Sequence, residues 1–521
     1  MINSDNFQKA FELHKDGRTS EAEEIYKAIL KEKPNDFNCL HLLGLIANEK
    51  ENYEAARELI SKALLSNPNS AEAHYNLGNS LKKLNKLNEA IHSYDNAINI
   101  KKDYEFYFNR GYVLNEIGQI DSAIDSYNEA IKIKPDYAEA FYNIGIIFKD
   151  KNKDTDNLSK AILNFNKAIE IKPDYAEALL NKGMCLHFSN RIKPAIESYD
   201  AALKINPDYE DAKWNKSLSL LLIGNFDQGW ILFESRWKRD SFTEPRRNFS
   251  KPLWLGEESL KNKTILLYSE QGLGDTIQFV RYAKIISQME CKVILEIPES
   301  LVELFKEIKD FGTLIKRGEV LPDFDYQCPL LSLPLAFKTN ITNIPFPNSY
   351  LFSKTKSLNK WAKKLNTKLK PRVGLVWSGK TTHKNDHNRS FALSSILSYL
   401  PDNFEYFSIQ NELQDKDKSA LSNSKIKHFG AEIENFDDTA ALCSLMDIII
   451  SVDTSIAHLS GALGKKTWVL LPFNPDWRWL MNSEDTPWYS SAKLYRQAQK
   501  NNWQSVFNKI KLDLLDTLEK K

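Results

Sequence analysis

Cysteine is scarce in this sequence. Five residues out of 521 (Cys39, Cys185, Cys291, Cys328 and Cys443) lie scattered, with no CxxC pair. That spacing argues against a disulfide framework and against a cysteine zinc site. Net charge is equally thin, 70 basic residues against 69 acidic. A duplex nucleic-acid binder normally carries a basic excess, so no nucleic-acid partner is expected. Long apolar runs are missing as well; none approaches the roughly 18 residues that span a bilayer. The opening Met1-Ile2-Asn3-Ser4-Asp5 lacks the basic and apolar regions of a signal peptide. A cytoplasmic location is therefore expected. What remains, 42% hydrophobic and 27% charged, is a globular composition. The charge is unevenly spread: residues 1–235 hold 29 basic and 36 acidic side chains, residues 236–521 hold 41 and 33. A basic back half fits a small anionic ligand there.

The front half repeats. Gly44, Gly78, Gly111, Gly145 and Gly183 recur at steps of 34, 33, 34 and 38, and Pro34, Pro68, Pro135, Pro173 and Pro207 follow the same ladder, with Lys102 at the missing rung. Between them stand trios such as Ala56/Ile60/Ala63, Ala90/Tyr94/Ala97 and Ala123/Tyr127/Ala130. Their i, i+4, i+7 spacing puts two small residues and one large one on a single helix face. Each repeat is thus expected to be a pair of short antiparallel helices. The glycine admits the facing large side chain, the proline stops the second helix, and Gly17, Asn85, Gly118, Asn190 and Gly224 turn the chain between helices. This pattern resembles the tetratricopeptide repeat over residues 3–209, in six copies. Repeat five carries four extra residues near Lys151–Asp156, and a decayed seventh unit covers 210–237. Such arrays present extended concave surfaces, so a polypeptide partner is expected. Asn76, Asn109, Asn143, Asn181 and Asn215 recur on the first helices. They fit either contacts to an extended acceptor peptide or a solvated polar stripe.

From Thr264 the period changes to short apolar runs alternating with amphipathic segments, the mark of parallel strands and crossover helices. Strands are expected at Thr264–Tyr268, Lys292–Ile297, near Thr313–Ile315 and Phe324–Cys328, then at Arg372–Trp377, Tyr406–Gln410, Ile448–Val452 and Thr467–Leu471. The fold class that follows is an all-α repeat solenoid joined to an α/β module of two Rossmann-like halves. Its expected boundaries are 1–209 for the repeats, 210–262 for the decayed unit and linker, 263–352 for the first half, 353–371 for a lysine-rich connector, and 372–521 for the second half. Three constellations fall at strand ends. Gly272-Leu273-Gly274-Asp275 opens a helix, where Asp275 fits either an N-cap or a catalytic carboxylate. Trp377-Ser378-Gly379-Lys380 leads to Asn388-Arg389-Ser390, with Lys380 and Arg389 as phosphate clamps. Asp453-Thr454-Ser455-Ile456-Ala457-His458 starts a helix whose free N–H groups suit an anion.

Together these motifs resemble GT-B glycosyltransferases, in particular the ADP-heptose:lipopolysaccharide heptosyltransferases, over residues 264–480. The loop Leu273-Gly274-Asp275 is similar to that family's catalytic LGD, and Asp453-Thr454-Ser455-Ile456-Ala457-His458 is similar to its DTG-x-x-H, with Ser455 in place of glycine. The fusion to repeats resembles bacterial tetratricopeptide glycosyltransferases that modify proteins such as flagellin, and is similar in logic to the O-linked N-acetylglucosamine transferases. The phrases Glu270–Phe279 and Leu471–Trp479 carry that likeness. The resemblance implies a nucleotide-sugar donor, a protein hydroxyl acceptor, Asp275 as base, and inversion at the anomeric carbon. It implies a donor site of Gly272, Gly274, Lys380, Arg389, Asp453, Thr454, Ser455 and His458, with Gln410 as a weaker contact. Neither cofactor nor metal is expected. Asp323-Phe324-Asp325 reads as structural, and His383/His387 sits in a loop without the glutamate of a zinc motif. Trp477 and Arg478 fit either acceptor contacts or the cleft wall. Two other readings stay open: a non-catalytic adaptor, and a transferase acting on a glycolipid or polysaccharide. Donor nucleotide, sugar, acceptor and oligomeric state are not legible.

Overall fold

The computed structural model describes residues 2–151, 155–240, 242, 247–382 and 385–519, and the chain forms two compact units, Met1–Cys185 and Leu186–Lys521. His383, and residues 152–154 of the expected insertion in repeat five, lie outside the described residues.

In the first unit, helices run in pairs from Ile2–Lys15 and Thr19–Glu32 onward. The glycine rule holds in detail. A Cβ on Gly78 would come 2.6 Å from the Tyr94 ring, and one on Gly145 would come 2.6 Å from Phe165. Only a missing side chain lets the paired helices approach so closely. The second helices end two residues before each ladder position, as Tyr53–Ser66 does before Pro68 and Leu87–Ile100 does before Lys102. Positive φ falls at Gly17, Asn85 and Gly118, and also at Glu51, a residue type that gives no such signal in sequence.

The helices Ile192–Ile205, Glu210–Leu222 and Phe226–Phe233 belong to the second unit, so the expected boundary at 209 falls inside it. Within that unit the first sheet contains β1 (Thr264–Tyr268), β2 (Lys292–Ile297), β3 (Thr313–Lys316) and β4 (Tyr326–Pro329), all parallel, in the order β3-β2-β1-β4. The second contains β5 (Arg372–Val376), β6 (Glu405–Ser408), β7 (Lys427–His428), β8 (Ile448–Val452), β9 (Thr467–Leu471) and β10 (Ala492–Arg496), parallel in the order β10-β9-β8-β5-β6-β7. The strand order of each sheet therefore reverses once, between β1 and β4 and between β5 and β8. In open parallel sheets the crevice at such a reversal, beyond the carboxyl ends of the strands, is where ligands bind.

The connector at 353–371 is largely a helix, Thr355–Leu365, and most of its lysines are spoken for. Lys354 reaches Glu303 of the first half, while Lys360 and the Trp361 indole reach the buried Asp438 of the second. Asp325 acts structurally, as expected: its carboxylate accepts the Thr264 N–H at 2.8 Å and fixes the start of β1. Among the described residues, no helix is long and apolar enough to cross a membrane.

Candidate functional site at the two strand reversals

The loop after β1 enters the helix Leu273–Phe279 at Gly272. Asp275, at the third helical position, accepts the Gly272 N–H at 2.9 Å, which satisfies one of the orphan donors of the helix start. Its other oxygen is ion-paired with Arg478. Asp275 therefore caps the helix start from its third position, Gly272 being the N-cap residue, and its side chain keeps 16% of its surface open.

Facing it is the segment after β8. Thr454 caps the helix Ser455–Ala462 without a side-chain hydrogen bond, and its hydroxyl lies 3.3 Å from Ser451 instead. The two motifs, 180 residues apart, meet at Gly274. A Cβ there would stand 2.9 Å from the His458 ring and 3.5 Å from the Ser455 Cα. The second glycine of the loop is thus required by packing between the halves. Arg389 joins the same segment: its Nη1 donates to the Asp453 carbonyl at 2.7 Å and its Nε to Asp386 at 3.3 Å. Gly379 makes room for it, since a Cβ there would come 2.5 Å from Arg389 Nη2. Asp386 is a residue that sequence reasoning missed, although its spacing of three from Arg389 is the usual helical pairing distance.

Several expected roles need correction. His458 does not supply a cation. It is buried, its Nδ1 lies 3.0 Å from the Tyr489 hydroxyl and its ring stacks on Trp479 at 5.2 Å. Burial, then Arg478, Arg281 and Arg389, push its imidazole well below its ordinary range. The ring is neutral and acts as packing between the halves. Gln410 is neither base nor ribose contact. Its Oε1 accepts the N–H groups of Trp377 and Ser378 at 2.8 and 3.1 Å, while its Nε2 donates to Ser378 Oγ and the Glu412 carbonyl. Three of these four hydrogen bonds hold the loop after β5 and the fourth holds the loop after β6. The buried Asp417 holds that loop too, accepting the Trp377 indole at 2.9 Å.

Trp477 presents no open face. It is 5% exposed and packs against Trp230, Phe233 and Phe279, with the Arg478 guanidinium 4.2 Å above its ring. Arg478 is not an acceptor contact but the bridge between Asp275 and Asp476. Lys380 is exposed and makes none of these contacts among the described residues. In the first unit the asparagine ladder stitches neighbouring repeats. Asn109 takes Lys82 at 2.8 Å and donates to Tyr75 at 3.0 Å, Asn181 repeats this with Lys149 and Tyr142, and Asn76 meets His41. Asn143 is half-buried.

Asp453 is the second carboxyl of the site. Burial and the neighbouring Asp476 push it up to about 6, against the pull of Arg389 and Arg478. Because its folded pKa lies above the ordinary carboxylate value, the folded state holds this proton more tightly. Stability is therefore lost as pH rises through that interval, by at most ~3 kcal/mol. Asp453→Asn removes the titration. The variant is expected to melt above the wild type at pH 7–8 and to converge with it near pH 4. Thermal unfolding across this range checks it, and parallel curves for the two proteins would contradict the assignment.

Comparison with known proteins agrees with the helical geometry. Tetratricopeptide repeat models match residues 13–77, 71–104, 111–152 and 176–209. The N-terminal part of the chain is an array of tetratricopeptide repeats. Over 324 residues the chain is 24% identical to protein FlbA of Caulobacter vibrioides, covering 57% of this chain and 54% of that protein. It is 35% identical over 91 residues to the protein O-mannosyl-transferase TMTC1 of Mus musculus, covering 17% of this chain and 10% of that protein. The chain thus spans about half the length of the first relative and a tenth of the second. Among solved structures it is similar to YrrB, a TPR protein with an unusual peptide-binding site, at 22% identity and a TM-score of 0.33, over 37% of this chain and 98% of that one. It is also similar to PilW, a type IV pilus biogenesis factor, at 22% identity and a TM-score of 0.36, over 41% and 97%.

Proposed function

We propose that the chain is a glycosyltransferase that moves a sugar from a nucleotide-sugar donor to a hydroxyl of a protein acceptor recruited by the repeats. One observation carries this reading: the Gly272–Asp275 loop and the Asp453–His458 segment, both at strand reversals, pack against each other through Gly274. A carboxylate from one half thereby stands beside an anion-receptive helix start from the other. In this reading the acceptor hydroxyl gives its proton to Asp275 as its oxygen attacks the anomeric carbon, and inversion follows from attack opposite the leaving group. The departing nucleoside diphosphate is met by Arg389 and by the first-turn amides after Thr454, with Thr454 and Ser455 as hydroxyl donors. These groups supply positive charge without a metal. The name of TMTC1 describes transfer of a sugar to protein, and the likeness covers a tenth of that protein.

The test is a thermal-shift panel of ADP-, UDP-, GDP- and CMP-linked sugars on the wild type and on Arg389→Ala. A donor at about 100 times its Kd stabilises by roughly 2.7 kcal/mol, a shift of several degrees. One nucleotide class is expected to shift the wild type and to lose most of that effect in the variant. Absence of any shift, with and without candidate acceptor, would favour the adaptor reading.

A further inference from the structure

The loop that carries Arg478 is gripped at its other end by a repeat. Asn190, in the turn between the helices Ala176–Phe188 and Ile192–Ile205, donates from Nδ2 to the Phe473 carbonyl at 2.5 Å. Its Oδ1 accepts from Asn474 Nδ2 at 2.8 Å, and the same amide of Asn474 donates to the His187 carbonyl at 3.0 Å. Two residues after Asn474, Asp476 accepts the Arg478 N–H and pairs with its guanidinium, which pairs in turn with Asp275. His187 stands close enough to Asp476 to feel its charge. The opposite flank of the Asp275 loop is held from the seventh unit: Glu270 accepts from the fully buried Arg236 at 2.8 and 3.1 Å. The end of the array therefore touches both loops that set the candidate base.

We propose that Asn190 is a positioning residue for Asp275, acting through the loop 473–478 and Arg478, so that the sixth repeat sets the geometry of the reacting site. The proposal rests on the transferase reading for its catalytic consequence, but not for the mechanical link. The turn itself does not require asparagine. The corresponding turns use Gly17, Gly118 and Gly224 at φ +77°, +78° and +81° and Asn85 at φ 57°, the value that Asn190 also takes. Glycine satisfies that conformation at least as well, so Asn190→Gly removes the two side-chain bonds while keeping the turn.

Hydrogen exchange on full-length Asn190→Gly and wild type decides the matter. Losing two partly buried hydrogen bonds is expected to speed exchange of the amides at 473–479 and 272–276 by about tenfold, with the melting temperature unchanged. With a nucleotide sugar that shifts the wild type, kcat is expected to fall by about tenfold while the donor KM stays within twofold. Asn474→Ala leaves the Asn190–Phe473 bond in place and should speed exchange less, whereas the double variant removes all three bonds and should exchange at least as fast as Asn190→Gly. Wild-type exchange rates in the variant would overturn the proposal, whether or not the chain proves to be a transferase. Accelerated exchange in a protein that turns over no donor would leave the link standing and remove the transferase reading instead.

Discussion

Asp275→Asn is expected to lower sugar transfer by about 10²- to 10⁴-fold, the range for removing a general base, while nucleotide binding stays at the wild-type level. The isosteric amide is chosen because the carboxylate has two other duties. Its Oδ2 accepts the Gly272 N–H, which the amide oxygen of asparagine can still do. Its Oδ1 pairs with Arg478, which keeps Asp476 as a carboxylate partner in the variant. What asparagine cannot do is take a proton. A collapse of kcat with an unchanged nucleotide-induced thermal shift therefore separates base catalysis from loss of fold or of the donor site. Retention of transfer within threefold would remove Asp275 from the mechanism. Loss of nucleotide binding together with activity would mean that Asp275 builds the site rather than works in it.

The parts of the molecule that could be read in advance are those governed by local rules. A glycine facing a tyrosine one helix away follows from spacing alone, and Gly78 against Tyr94 is that contact made physical. The strand ends that bear Asp275 and Asp453 follow from apolar runs followed by polar turns. What escaped is set by packing between distant segments. Nothing near Arg478 in sequence announces a carboxylate 203 positions away. A histidine in a polar motif reads as a cation until burial beside three arginines removes the charge, as at His458. Gln410 reads as a ligand contact because a glutamine after a strand suits one; its amide is instead filled by two backbone N–H groups and two acceptors. Trp477 packs as wall, the second of its two readings, and Asn76, Asn109 and Asn181 turn to protein partners in the same way. A side chain able to bind a ligand is equally able to bind the protein, and only tertiary structure shows which partner arrives first.

The largest expected effect on stability belongs to Arg281, which sequence reading passed over as one polar residue of an amphipathic helix. It is 0% exposed, and no carboxylate stands among its described partners. Its Nε donates to the Gln278 carbonyl at 2.8 Å, its Nη1 to the carbonyls of Pro345 and Trp488 at 3.2 and 3.0 Å, and its Nη2 to the Tyr350 hydroxyl at 3.1 Å. Its charge lies 4.5 Å over the Tyr350 ring and 4.9 Å over Tyr489. Carbonyl dipoles and aromatic faces thus replace the missing anion. The partners come from the first half, from the segment leading to the connector, and from beyond β9 in the second half, so one guanidinium pins all three. Arg281→Met keeps the stem but takes the donor away from the carbonyls of Gln278, Pro345 and Trp488. About 2–5 kcal/mol is expected to be lost, on the order of 1–3 kcal/mol for each buried carbonyl left without a donor, with a fall in melting temperature of roughly 5–10 °C. Arg281→Lys should rescue little, because a single ammonium cannot span the fork of acceptors. Calorimetry on the three full-length proteins distinguishes the cases. If Arg281→Met melts within two degrees of wild type, the halves are held by their apolar contacts alone. If lysine restores most of the loss, charge over the aromatic faces matters more than the fork geometry.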